Sequence, residues 1–196
     1  MFAIPKLGRF KQEQCFRYLR RVFACNAYGL ESSGSSTLIT MPDLFHRVGL
    51  ISDTHGLMRP EALEALHGSD VIIHGGDIGD PAVLAALGKI APVRAVRGNN
   101  DKGDWALSLP ARSIVEAGTS RIYVLHNLSE LEFDPVACGF VAVISGHSHK
   151  PVIEQRGKVL YVNPGSAGPR RFKLPVTVAT LILRSDHCKA DIIKLA

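Results

Sequence analysis

Residues 141–149 read VAVISGHSH. An apolar, mostly β-branched run stops at a glycine, and two histidines follow with one serine between them. Such a run has the composition of a buried strand. His147 and His149 stand at i and i+2, so an extended segment points both to one side. Gly146 lets the backbone turn where a side chain would obstruct. Two histidines at a strand tip are, by themselves, compatible with plain solvent exposure. They are equally compatible with a metal site, because neutral imidazole is the commonest metal-ligating side chain. What ends the other strands decides between the two.

From Val48 onward the chain alternates. VGLIS (48–52) is a short buried-type strand, and PEALEALHG (60–68) is a helix with proline in its first turn and glycine at its end. VIIH (71–74) is a strand, PAVLAALGKI (81–90) a second helix opened by proline, and VRAV (93–96) a strand. Beyond Trp105 strands dominate: RSIVEAG (112–118), RIYVLH (121–126), VAVIS (141–145), PVIEQ (151–155), KVLYVN (158–163), VTVATLIL (176–183) and ADIIKL (190–195). The pattern predicts an α/β fold of two facing mixed β-sheets flanked by helices. Antiparallel pairing is expected to predominate in the second sheet. No internal repeat is present.

The strand ends share a chemistry. VGLIS runs into Asp53-Thr54-His55, VIIH into Gly75-Gly76-Asp77, and VRAV into Arg97-Gly98-Asn99-Asn100-Asp101. RIYVL ends in His126, and VAVIS in Gly146-His147-Ser148-His149. Each has an ordinary reading, because Asp, Asn and Gly are turn residues and a histidine can be satisfied in a core or exposed in a loop. Taken together, five such endings at equivalent places argue for one site, since ligands collect outside the carboxyl ends of strands in α/β sheets.

The formal charge is +5 over 196 residues, with 46% hydrophobic and 21% charged residues. One soluble domain is the expectation. No apolar run approaches the roughly 18 residues a membrane-spanning helix needs. Residues 1–40 hold six basic residues (Lys6, Arg9, Lys11, Arg17, Arg20, Arg21) against Glu13 and Glu31, so they carry +4 and the remainder only +1. A basic patch for nucleic acid is therefore not expected on the domain. Residues 1–46 read as a basic extension and linker, and 47–196 as the domain. The extension has three readings: a targeting segment, a partner-binding arm, or upstream sequence ahead of a true start at Met41. The abrupt change in character favours the last. Cys15, Cys25, Cys138 and Cys188 show no CxxC spacing and read as reduced thiols of a cytoplasmic protein.

The ordered motifs DTH, GGD, GNND, a lone histidine after an apolar strand, and GHSH closely resemble those of the calcineurin-like metallophosphoesterases. The small YfcE-like phosphodiesterase branch fits best, since Asn163-Pro164-Gly165-Ser166 and Pro169-Arg170 follow. The resemblance covers about residues 47–195. It implies a four-layer metallophosphoesterase-like sandwich and a phosphodiesterase carrying two divalent metal ions. One ion would be held by Asp53, His55, Asp77 and His149. The other would be held by Asp77, Asn99, His126 and His147, with Asp77 bridging. Manganese is the first expectation, with nickel, iron or zinc as alternatives, because imidazole and oxygen ligands without thiolate suit borderline-to-hard divalent ions. The implied chemistry is attack on a small phosphodiester by a metal-bridging hydroxide.

Two positions depart from the family pattern. Asn100 stands where many members have a histidine thought to assist the leaving group, and an amide is no general acid near neutral pH. Asn127 follows His126 where glycine is usual, and reads as a pocket residue, a support for the site, or a left-handed turn residue. Asn100 and Arg97 are weaker substrate-binding candidates, Arg97 having pairing with Asp101 as its alternative. His74 is expected to pack beside the site, and Trp105 either lines the pocket or covers the core edge. Two other functions stay open. One is a catalytically silent protein-binding scaffold, as in the retromer subunit that resembles this family; intact ligand positions argue against it. The other is a nuclease, which the near-neutral domain disfavours. Small relatives often self-associate, so a homo-oligomer is implied by resemblance alone.

Overall fold

The computed structural model describes residues 46–184 and 188–195. Residues 1–45 of the expected extension lie outside the described residues. His46 already belongs to the first strand, β1 (His46–Ile51).

The first half of the domain is built by right of its parallel strands. Such strands cannot be joined by a tight turn and need a crossover. Here β1, β2 (Val71–His74) and β3 (Val93–Ala95) pair in parallel. Helix α1 (Pro60–Leu66) joins the first two, and α2 (Pro81–Leu87) the next. Proline opens both helices. In α2 the Asp80 carboxylate also caps the first turn, accepting from the Ala82 N–H at 2.7 Å. A third, one-turn helix, α3 (Asp104–Leu107), was not anticipated from the sequence.

Seven strands follow. β4 (Arg112–Ala117) and β5 (Ser120–Leu125) form a hairpin, with Gly118 at φ 58° in its two-residue turn. β6 (Ala142–Ile144) lies parallel to β5 and to β8 (Val159–Asn163), and β7 (Val152–Arg156) is antiparallel to β8. β9 (Thr177–Leu183) returns to the first sheet antiparallel to β1, and β10 (Cys188–Lys194) pairs with β9. The sheets are therefore β10-β9-β1-β2-β3 and β4-β5-β6-β8-β7. Both are mixed. The second divides evenly between parallel and antiparallel pairings, rather than favouring the antiparallel.

Strand alternation assigns each face. Leu50, Ile73 and Leu181 from the first sheet meet Ile122, Val124, Ile144 and Val162 from the second in a closed core between them. Their neighbours Ile51, Ile72 and Val178 point the other way, onto Ala62, Leu66, Val83 and Leu87 of α1 and α2. On the second sheet Tyr123, Leu125 and Val143 also face outward. Among the described residues they are covered by a 3₁₀ turn (Leu128–Glu130) and by Phe133 and Phe140. Tyr123 meets Phe133 edge-on with ring centroids 4.8 Å apart. Loop, not α-helix, supplies that outer layer. Trp105 packs with the apolar cluster beneath α1 and α2, which places it at the core edge.

Candidate metal centre

The strand ends converge. Asp53 and His55 follow β1, Asp77 follows β2, Asn99 follows β3, His126 follows β5, and His147 and His149 follow β6. Their polar atoms form an unbroken series. His147 Nδ1 and His126 Nε2 each lie 3.0 Å from Asn99 Oδ1. His126 Nε2 is 3.5 Å from Asp77 Oδ1, and Asp77 Oδ2 is 3.9 Å from His55 Nε2. His55 Nε2 lies 3.4 Å from His149 Nε2, which is 3.2 Å from Asp53 Oδ1. All seven residues expected as ligands are thus brought together. The two Asp77 oxygens face opposite halves of the series. Asp53 belongs to both halves as well: donor atoms of Asp53, His55 and His149, and of Asp53, Asp77 and His126, each lie within 4.8 Å of one another.

The backbone there is unusual. Among the described residues six non-glycines have positive φ: Asp53, His55, Asp77, His147, His149 and Phe172. Five of them are ligand candidates. Left-handed backbone is uncommon outside glycine, and such strain gathers at functional sites. Long-range hydrogen bonds hold it. Asp53 N–H donates to Gly76 O at 3.0 Å, His55 N–H to Asp77 O at 3.0 Å, and Gly56 N–H to Ile78 O at 2.7 Å. The DTH and GGD loops therefore continue the pairing of β1 with β2 past the strands themselves. Gly98 is needed for packing: a Cβ there would collide with the backbone nitrogen and Oδ1 of Asp77.

The surrounding groups orient each candidate ligand. Asp53 Oδ2 accepts from the Ser52 hydroxyl at 2.6 Å and the His147 N–H at 3.1 Å. Its Oδ1 is buried and accepts no hydrogen bond. His126 Nδ1 donates to Gly75 O at 2.8 Å, which leaves its Nε2 lone pair facing Asn99 and Asp77. Asn100 donates to Asp77 twice, from its backbone N–H to Oδ1 at 2.8 Å and from its amide to Oδ2 at 2.6 Å. Asp101 is buried and braces the loops, accepting from Gly79 N–H and Gly98 N–H at 2.8 Å each. Its oxygens are engaged there, rather than with Arg97, one of the two alternatives the sequence offered for that arginine. Arg97 N–H bonds Pro110 O.

His74 is no ligand in this arrangement. Its Nδ1 accepts from Gly76 N–H at 3.2 Å, so its Nε2 carries the hydrogen and meets Thr54 Oγ1 at 3.0 Å. The Thr54 hydroxyl then donates to Ile78 O at 2.9 Å. Asn127 has φ −105° and so is not left-handed; its Oδ1 accepts from Ser129 N–H and caps the 3₁₀ turn. It also lines a cavity of about 290 Å³ beside His147.

The electrostatics fit a cation. Burial pushes Asp53 up to about 6, although the Ser52 hydrogen bond opposes it. Burial, with Arg171 and His55 adding to it, pushes His149 down to about 4. Their 3.2 Å contact is therefore not a stable ion pair. A carboxylate that lacks positive charge faces an imidazole that resists a proton, and a divalent ion satisfies both. Burial also lowers His55. For Asp77 burial works upward, but the neighbouring His126 ring and the hydrogen bonds from Asn100 outweigh it and hold the carboxyl well below its usual range. His126 is the counterpart: burial opposes its charge, yet Asp77 and Gly75 O raise it.

The supporting roles of Arg171 and Asn163 escaped the sequence reading. Arg171 Nη2 lies 3.4 Å from His55 Nε2. The Asn163 amide donates to Gly146 O at 2.6 Å and to Ser148 Oγ at 3.0 Å, so the NPGS turn braces GHSH. Only the asparagine-proline-glycine run signalled that turn. One reading is corrected: Cys138 is disulfide-bonded, while Cys188 is free. Four reduced thiols no longer support a cytoplasmic location. No helix among the described residues is long and apolar enough to cross a membrane.

Comparison with known proteins gives the same picture. The family model described as "Calcineurin-like phosphoesterase superfamily domain" matches residues 47–186. A probable metallophosphoesterase of Methanocaldococcus jannaschii is 36% identical over 161 residues, 76% of this chain and 81% of the relative. Among solved structures, an archaeal phosphodiesterase is 26% identical with a TM-score of 0.65, covering 76% of this chain and 99% of its own. The Escherichia coli phosphoesterase YfcE shares the fold at 22% identity and a TM-score of 0.55, over 76% and 100% of the two chains. So does Vps29 of Entamoeba histolytica, solved with Zn²⁺, at 20% identity and a TM-score of 0.56, over 76% and 98%.

Proposed function

The chain belongs to the calcineurin-like phosphoesterase superfamily, and from that premise we propose that it is a phosphodiesterase working with two divalent metal ions, manganese first. The observation that carries the reading is the unbroken series of seven ligand groups with Asp77 facing both halves. When bound, two such ions lower the pKa of a water and neutralise charge on phosphoryl oxygens. The residues do the holding. Asp53, His55 and His149 offer one set of donors, and Asn99, His126 and His147 the other. Asp77 lies between, fixed by both Asn100 donors. The left-handed loops and their hydrogen bonds hold these donors in place before any ion or substrate arrives. No serine or cysteine stands in the series as a nucleophile.

The test is hydrolysis of an aryl phosphodiester, with the matching monoester alongside. Protein stripped of metal is given Mn²⁺, Ni²⁺, Zn²⁺ or Mg²⁺ separately. Metal-dependent cleavage that favours the diester is expected, and Asp77→Asn should lose roughly a hundredfold or more. Hydrolysis by Asp77→Asn near the parent rate sinks the two-metal assignment. The likeness to Vps29 favours a second reading, a scaffold that holds metal without turnover. Full metal loading with no cleavage by any ion would select it.

A further inference from the structure

The loop beyond the NPGS turn is anchored onto the centre at its entry and closes on its own stem at its exit. At its entry, Ala167 N–H donates to Ser52 O at 3.0 Å and Gly168 N–H to Asp53 O at 3.2 Å. Arg59 adds two bonds, Nε to Ala167 O and Nη2 to Gly168 O, each 3.2 Å. At its exit, Leu174 N–H closes a turn on Arg171 O at 3.1 Å, and Ser166 bridges Val176 in parallel. The loop between them reads PRRFKLP, with three cations and no acid. One of the cations, Arg171, brings its guanidinium to 3.4 Å from His55 Nε2. A fixed positive charge beside a cation site is unfavourable unless an anion lies between, and a guanidinium fork matches phosphoryl oxygens.

The next residue is Phe172. Its side chain is 93% exposed, more than any other large hydrophobic described. It is also the sole positive-φ non-glycine described that is not a ligand candidate, at φ 52°. A lone exposed apolar residue needs no explanation. A bulky residue held in left-handed backbone, directly after Arg171 in the chain, does need one. An aromatic ring beside a phosphate-binding cation is the arrangement that accepts a flat ring joined to a phosphate.

We propose that Arg171 and Phe172 form a substrate subsite, Arg171 holding the phosphoryl group and Phe172 stacking on an aromatic heterocycle of one ester group, so that nucleotide diesters are the preferred class. This rests on the phosphoesterase reading above. The test uses the full chain with Mn²⁺ and two esters that share one leaving group: thymidine 5′-(p-nitrophenyl phosphate) and methyl p-nitrophenyl phosphate. The parent should prefer the thymidine ester by roughly tenfold in kcat/KM, mostly through KM. Phe172→Ala should bring that ratio close to one, and Phe172→Trp should keep it. Arg171→Ala should raise KM for both esters. A parent that shows no preference overturns the subsite, and so does a preference that survives in Phe172→Ala. A parent that cleaves neither ester refutes the phosphoesterase reading itself, and the subsite with it.

Discussion

His149 and His74 sit within one site yet act in opposite ways. His149 turns Nε2 toward Asp53 and His55, as a ligand does. Replacing it with alanine should empty one metal position and leave the other, so elemental analysis of His149→Ala should find about half the parent's metal. Full double occupancy would contradict the assignment. His74 turns both nitrogens to the protein and is wholly buried, which pushes it down to about 3. A base whose folded pKa lies below its unfolded value binds fewer protons folded than unfolded. Its contribution to stability is therefore complete above about 6.5 and is lost as pH falls toward 3. Asp53 works the other way: raised to about 6, its contribution is complete below 3.8 and is lost as pH rises through 6. The metal-free protein should lose on the order of 1 kcal/mol per pH unit from His74 below about pH 6. Urea midpoints of parent and His74→Gln at pH 7 and pH 5 check it; equal slopes would show that His74 is not buried neutral.

The loops, more than the strands, carry the chemistry, and glycine decides their closeness. Gly98→Ala should displace Asp77, cost about 2–4 kcal/mol and reduce metal content, as denaturation and metal titration would show. These loops also show what can be read from a sequence. VGLIS, VIIH, RIYVLH and KVLYVN announce strands through runs of β-branched and aromatic residues, and the polar residues that end them are local to those runs. The convergence of the seven ligand groups could be expected because strand ends in such sheets meet. Arg171 could not be found that way, because its approach to His55 spans 116 residues of chain. The role of Asp101 was hidden for a related reason: Arg97, offered as one possible partner, is near it in sequence, but backbone amides at Gly79 and Gly98 are its neighbours in space. Of the alternatives for Asn127 the pocket position agrees with the structure and the left-handed turn does not, and its side chain caps a turn that hydrophobic periodicity does not show. The loop that covers the outer face of the second sheet was equally hidden, since alternation reports which face is buried and not what covers it.

At the scale of the whole molecule, one core joins the two sheets. Leu181 is fully buried there on β9, a central strand of the first sheet. Leu181→Ala should destabilise by about 2–5 kcal/mol in chemical denaturation, with metal stoichiometry retained under native conditions. The core fixes the sheets face to face, and the site inherits that arrangement. Asp53, His55, Asp77 and Asn99 leave the first sheet, while His126, His147 and His149 leave the second. The sheets are thus the jaws of a vice, closed by apolar packing in the middle and gripping at one rim. An ion seated between the jaws would rivet them. At a free concentration one hundred times its Kd, each ion would add about 2.7 kcal/mol against unfolding. Heat resistance would then be set by the ions in the surrounding medium as much as by the chain.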